Sequence, residues 1–280
     1  MTLVIGHKGA AGLAPENSLA AFRLALEVGA DGVELDVRRT ADGALAVHHD
    51  ATLADGRSLV DLAAGELPDG IATLPPVLDA CDRLALVNVE IKNWPLDGDF
   101  DESFGIVDSV VEALASRPVT ERERYVVSCF HLPTVDRVRE LAPDLVTAWL
   151  VALAGSDDGA QVIAEAVDHG HRALHPHHAL VTPALVERAH DEELAVNVWT
   201  CNDPDRIRRL AREAGVDGIV TDVPDVALAA LGRFPPTPPA AAVRGGRDRG
   251  PPARVGSRAA RCPPDGRRRP GKGPARRPER

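Results

Sequence analysis

The segment GVELDVRRTADGALAVHHD, residues 32–50, sets Glu34, Asp36, His48 and His49 in runs that otherwise read as buried strand. A buried carboxylate without a partner is costly or is neutralised by a shift of its pKa, so acids this close together imply a cation or a catalytic task. Strand residues two apart point to the same side, roughly 7 Å apart, which puts Glu34 and Asp36 on one face. The chain then turns through Asp42-Gly43 and returns, predicting a hairpin that carries His48 and His49 to the end of the first strand. Adjacent strand residues face opposite ways, and His49 is assigned to the acidic side.

Seven further strand-type runs surround this one: LVIGH (3–7), LALVNVEI (84–91), RYVVSCF (124–130), LVTAWL (145–150), RALHP (172–176), LAVNVW (194–199) and DGIVTD (217–222). Between them lie runs with apolar residues at helical spacing, among them 17–30, 103–116, 132–141, 160–170, 182–193 and 203–215. Asn17-Ser18 and Gly29 bracket the first helix; Asp203-Pro204 and Gly215 bracket the last of these. Eight strands alternating with helices predict a parallel sheet covered on both faces, and at this length a (β/α)₈ barrel with a short extra hairpin after its second strand. An open doubly wound sheet is the lesser option, because no glycine-rich dinucleotide fingerprint occurs.

In such a barrel the C-terminal strand ends form the catalytic face, and here they carry His7, Glu34, Asp36, Glu90, Ser128, Trp199 and Asp222. Three carboxylates, Glu34, Asp36 and Glu90, suit one hard divalent cation, Mg²⁺ or Ca²⁺, better than zinc. His7 and His49 are candidates for general acid and base, since imidazole titrates near neutrality. Lys8 and Lys92 add fixed positive charge; with a cation they would stabilise an anion such as a phosphoryl group, so the residues read as metal-assisted phosphoester hydrolysis. A serine hydrolase is disfavoured by the lack of any G-x-S-x-G elbow. Plainer readings stand beside these: Glu34 and Asp36 as ion-pair partners of Lys8 or Lys92, Trp199 as packing, Asp222 as a helix cap, and His171, His175, His177 and His178 as loop histidines rather than ligands.

The fragments HKGAAGLAPENSLAAF (7–22), GADGVELDVRRTADGALAVHHD (29–50), VEIKNW (89–94), SCF, NVWTCND and DGIVTDVP, in this order, resemble the glycerophosphodiester phosphodiesterase family over about residues 4–232. The resemblance implies a (β/α)₈ TIM barrel, a divalent cation held by Glu34, Asp36 and Glu90, and His7 and His49 as the acid/base pair. It further implies substrate-binding roles for Lys8, Lys92 and Trp199, and for Asn17 a place in orienting the first loop or the site. The implied reaction is hydrolysis of a glycerophosphodiester to sn-glycerol 3-phosphate and an alcohol, within lipid and glycerol metabolism. The family motif His-Arg-Gly reads His7-Lys8-Gly9 here, and lysine lacks arginine's two-pronged contact, which bears on substrate preference. Two alternatives remain: a phospholipase D-type enzyme acting on lysophospholipids, and a phosphoester-binding protein without catalysis.

The net charge of −10 conceals a split: residues 234–280 hold 13 of the 32 Lys+Arg and 3 of the 42 Asp+Glu, so the first 233 residues carry −20 and the remainder +10. An acidic body disfavours nucleic acid and anionic membrane surfaces, and the resemblance implies a small-molecule phosphodiester as the partner; oligomeric state is left open. Four scattered cysteines indicate neither a zinc set nor a disulfide framework, and with no leader-like N-terminus or apolar span the expected location is the cytoplasm. Residues 1–233 are expected to form the barrel, and 234–280, with 11 Pro and 7 Gly in 47 residues, a disordered basic tail. Removing 234–280 is expected to leave turnover and melting temperature nearly unchanged; a large loss of either would show that this segment packs or binds.

Overall fold

The computed structural model describes residues 1–152 and 159–233; the expected tail lies outside them. In chain order the elements are β1 (Leu3–Gly6), α1 (Leu19–Glu27), β2 (Gly32–Arg39), β3 (Leu45–Val47), α2 (Leu74–Ala80), β4 (Leu86–Ile91), α3 (Gly105–Ala115), α4 (Val119–Arg122) and β5 (Tyr125–Cys129). There follow α5 (Leu132–Leu141), β6 (Val146–Val151), α6 (Ala160–Asp168), β7 (Ala173–Pro176), α7 (Pro183–Asp191), β8 (Ala195–Val198), α8 (Pro204–Arg209), β9 (Gly218–Thr221) and α9 (Pro224–Ala230).

The strands pair in the order β1-β9-β8-β7-β6-β5-β4-β2, and β1 also pairs with β2, so eight parallel strands close on themselves. This is the TIM barrel with the expected hairpin: β3 lies outside the ring, antiparallel to β2, with Val37 opposite Val47 and Arg39 opposite Leu45. The turn between them holds Gly43 at φ 82°, a left-handed conformation that glycine adopts without strain.

Helix boundaries follow local chemistry. Ser18 Oγ accepts from the Ala21 N–H at the start of α1, Thr182 Oγ1 from Leu185 N–H at the start of α7, and Asp203 from Arg206 N–H at the start of α8. The helix α2 has no counterpart among the sequence expectations, because Pro75-Pro76 reads as a breaker. Both prolines sit in the first turn, where no N–H is needed.

Alternation along each strand makes two cores. Outward residues such as Val33, Leu35, Val87, Val89 and Val127 pack on α1, α2, α3 and α5, while Leu174, Val196, Val198 and Ile219 pack on the helices of the other half. Inside the ring, the lower end is filled by Val126, Ala148 and Ala173 with Leu86, Val146 and Ala195 against them. Above that layer the interior turns polar. Register places Glu34 beside Asn88, Asp36 beside Glu90, and Glu90 beside Ser128, all buried. The apolar layer closes the barrel at one end and leaves the charged residues at the other. Among the described residues, no helix is long and apolar enough to cross a membrane.

Candidate active site

A cavity of about 180 Å³ opens at the C-terminal strand ends, lined by His7, Lys8, Glu34, Asp36, His49, Glu90, Lys92 and Trp199, with Asn88, Phe130 and His175 among the other walls. Eight of the nine expected site residues therefore converge. The ninth, Asn17, does not line the cavity. Its Nδ2 donates to Asp36 Oδ2 at 2.7 Å and its Oδ1 accepts from the Asp36 N–H at 3.2 Å, so it positions Asp36 from outside the cavity.

One oxygen from each of Glu34, Asp36 and Glu90 lies within 4.8 Å of the others, and all three residues are buried. Each is restrained by a different neighbour. The Lys8 backbone N–H donates to Glu34 Oε2 at 2.9 Å, Asn17 grips Asp36, and Lys92 Nζ donates to Glu90 Oε1 at 2.6 Å while standing 3.6 Å from Asp36. To aim its N–H at Glu34, Lys8 adopts φ 49°, and left-handed backbone at a non-glycine residue costs about 1–3 kcal/mol. The next residue, Gly9, has φ 84°, and a Cβ there would meet the Ala21 carbonyl carbon at 2.7 Å. Lys8 Nζ pairs with Glu16 at 3.2 Å rather than with the acids.

Burial, then the charges of Asp36 and Glu90, push the Glu34 carboxyl up to about 8, against the pull of His7 and the Lys8 N–H. Burial likewise raises Glu90, with Asp36 adding to it and Lys92 opposing. Buried Glu34 Oε1 has no hydrogen-bond partner among the described residues. A crowded set of hard oxygens with one acceptor left bare fits a divalent cation, which would relieve the repulsion and satisfy that oxygen.

The two histidines stand on separate supports. His7 Nδ1 meets Asp222 Oδ1 at 2.6 Å, which leaves Nε2 towards the cavity, 3.9 Å from Glu34 Oε2. Burial pulls the His7 pKa down, but the Asp222 hydrogen bond and the Glu34 and Asp222 charges outweigh it, and the net shift is upward. His49 Nδ1 meets Asp50 Oδ1 at 2.7 Å, and its carbonyl accepts from Arg38 Nε at 2.7 Å; Arg38 is itself clamped by Asp97 and Asp99. His48 does not line the cavity and its Nδ1 meets the Asp50 carbonyl at 2.9 Å; β3 ends at Val47, so the loop rather than strand alternation sets the two histidines apart.

Trp199 is fixed by its Nε1 donating to the His175 carbonyl at 2.7 Å and by edge contacts with Phe130 and His177. Lys92 Nζ stands 5.9 Å above the Phe130 ring. His175 is buried and pulled down to about 3 by burial alone, a neutral ring bonded to Asn197. Sequence reading missed Asp222 as the partner of His7: it does not cap α9, whose first turn begins from Val223 without a side-chain bond. Asn202 holds Asp222 in turn, donating to its Oδ2 at 2.6 Å and accepting from its N–H at 2.9 Å. Arg38 and Phe130 also carried no signal in the sequence beyond their place near strand ends.

The sequence model of the glycerophosphoryl diester phosphodiesterase family matches residues 7–226. The chain belongs to that family of enzymes. It is 32% identical over 251 residues to a glycerophosphodiester phosphodiesterase of Caldanaerobacter subterraneus, covering 81% of this chain and 96% of that one. The glycerophosphodiester phosphodiesterase of Thermotoga maritima, whose crystal structure is known, is 26% identical with a TM-score of 0.68 over 83% of this chain and 99% of its own. A Silicibacter pomeroyi protein assigned to the same family reaches 28% identity and a TM-score of 0.72 over 84% and 95%.

Because Glu34 is raised in the folded chain from 4.5 to about 8, its contribution to a metal-free fold is fully present below the lower value and is lost as pH rises to the higher one. Melting temperature without divalent cations is expected to fall between about pH 5 and pH 8, and Glu34→Gln to flatten the decline. A wild-type profile parallel to that of Glu34→Gln would show that the carboxyl is not held against its charge.

Proposed function

We propose that this family member hydrolyses glycerophosphodiesters to sn-glycerol 3-phosphate and an alcohol, with a divalent cation at Glu34, Asp36 and Glu90. The observation that carries the reading is the meeting of three buried carboxylates, one with a bare oxygen, between two histidines that each have a carboxylate partner. The names borne by the relatives support the substrate class. A cation bound there supplies Lewis-acid stabilisation of the phosphoryl oxygens and lowers the pKa of a hydroxyl beside it. Mg²⁺ and Ca²⁺ match an all-oxygen set of this kind.

The remaining chemistry belongs to the side chains. One imidazole accepts the proton of the attacking hydroxyl as its oxygen bonds phosphorus. The other gives a proton to the alcohol oxygen as the phosphorus–oxygen bond to it breaks. Attack by water gives glycerol 3-phosphate directly, whereas attack by the glycerol 2-hydroxyl gives a cyclic phosphate that water then opens, with the two imidazoles exchanging roles. The hydrogen bond from His7 Nδ1 to Asp222 fixes the tautomer and strengthens that ring as a base, with Nε2 free to work in the cavity. Lys92 keeps Glu90 and Asp36 from mutual repulsion and stands at the cavity wall, where its charge attracts a phosphate. Trp199 and Phe130 wall the space into which the ester projects.

A lysophospholipid is the second substrate reading. It rests on the neighbouring cavity beyond Lys92, whose walls include Trp94 and Phe130, with Trp94 partly exposed. With Mg²⁺ or Ca²⁺ present, glycerophosphocholine or glycerophosphoethanolamine is expected to release glycerol 3-phosphate, and His49→Ala to slow release by roughly 10²–10⁴-fold. A chelator should abolish turnover. Faster turnover of lysophosphatidylcholine would move the assignment to lysolipids, and binding of either diester without turnover would reduce the protein to a binding role.

A further inference from the structure

The histidine-rich stretch 169–178 is divided by the fold. His175 points into the barrel, His177 and His178 lie at its mouth beside Trp199, and His171 remains at the opposite end of β7 together with His169. There the two rings meet Asp136 from α5. His169 Nδ1 lies 2.9 and 3.0 Å from the two carboxylate oxygens of Asp136, and His171 Nε2 lies 3.1 Å from Oδ1. The candidate ligand atoms of the three residues all fall within 4.8 Å of one another.

We propose that Asp136, His169 and His171 form a second metal site, for a transition-metal ion of the zinc type, separate from the acidic centre of the barrel. Two features favour a metal over a plain ion pair. The His171 side chain is fully buried, yet its Nε2 makes no hydrogen bond of acceptable direction to any described residue, although it faces the Asp136 carboxylate. Its other nitrogen, Nδ1, is held by Thr147 Oγ1 at 2.9 Å. A metal-ligating histidine is oriented in this way, one nitrogen on a hydrogen-bond partner and the other on the ion.

Geometry and donor chemistry agree. Ligand atoms about 2.0–2.1 Å from a tetrahedral Zn²⁺ stand roughly 3.3 Å apart, close to the separations from Asp136 to each histidine. Two imidazoles and one carboxylate suit Zn²⁺, Co²⁺ or Ni²⁺ and are a poor match to Mg²⁺ or Ca²⁺, which the all-oxygen centre suits. His169 and Asp136 are partly exposed, which gives an ion and its waters a way in. The turn between the histidines is fixed: Gly170 has φ 74°, its carbonyl accepts from Arg139 Nε at 2.7 Å, and a Cβ there would strike the Arg139 guanidinium. The site joins α5 to the chain between α6 and β7, away from the catalytic mouth, and its role is structural.

The test is equilibrium dialysis of the full metal-free chain against Zn²⁺, with metal counted, and against Co²⁺, with the visible spectrum recorded. Wild type is expected to bind one more equivalent of Zn²⁺ than His169→Ala or Asp136→Asn, and to lose affinity at this site by roughly 10–100-fold or more in either variant. The Co²⁺ bands of a nitrogen-bearing site should vanish with them. Because His169 is partly exposed, its replacement preserves the fold, and Mg²⁺-supported diester turnover should be unchanged. Equal Zn²⁺ stoichiometry and identical Co²⁺ spectra in wild type and both variants would overturn the proposal and leave a hydrogen-bonded histidine–aspartate cluster.

Discussion

Three carboxylates held out of water within reach of one another repel strongly, and much of the upper barrel is arranged to keep them there. Pairing of β2 with β4 sets Asp36 beside Glu90, and the two-residue repeat of β2 adds Glu34 on the same face. The backbone at Lys8 and Asn17 takes left-handed conformations, at φ 49° and 54°, and each of these residues delivers a donor to one of the acids. Lys92 is the one lysine or arginine side chain in direct contact with the acids among the described residues, and it leans on Glu90 and Asp36, while His7 Nε2 stands 3.9 Å from Glu34. Among the acids, one oxygen of Glu34 remains unsatisfied, a deficit that a divalent cation would meet.

The same constraint explains the division of labour along the barrel axis. Apolar residues fill the lower ring, so the strands gain their stability away from the site and can tolerate strain and desolvated charge at the upper ends. The two histidines at the cavity are placed by carboxylates outside the acidic triad, His7 by Asp222 and His49 by Asp50, with Arg38 anchoring the hairpin backbone beneath His49. Asp222 and His7 meet because β9 and β1 are neighbours in the closed ring. Closure of the barrel therefore orients the His7 ring as well as completing the fold.

This explains which features the sequence disclosed. All eight barrel strands were legible, since β-type apolar runs alternate with helical ones, and the Asp42-Gly43 turn exposed the hairpin. Glu34, Asp36 and Glu90 were legible because acids at the ends of apolar strands are costly without a task. The pairing of Asp222 with His7 was not, because the residues are 215 positions apart and only ring closure joins them. Asn17 carried a family signal but no sign that it would face Asp36 instead of the cavity. The helix α2 was hidden by prolines that its first turn accommodates, and although the strand at 172–176 separates His171 from His177 and His178, nothing in the run indicated that His169 and His171 would meet Asp136.

The most direct measurement is a calorimetric titration of Mg²⁺ or Ca²⁺ into the metal-free chain at pH 7, repeated in buffers of different ionisation enthalpy and with Glu34→Gln. If the cation sits among acids where burial, and then the charges of Asp36 and Glu90, keep Glu34 protonated, binding one equivalent releases about one proton in wild type and markedly fewer in Glu34→Gln, with weaker affinity. Binding with no proton release, or with equal affinity in both proteins, would contradict the account, because the three carboxylates would then not be the ligands around which the barrel mouth is built.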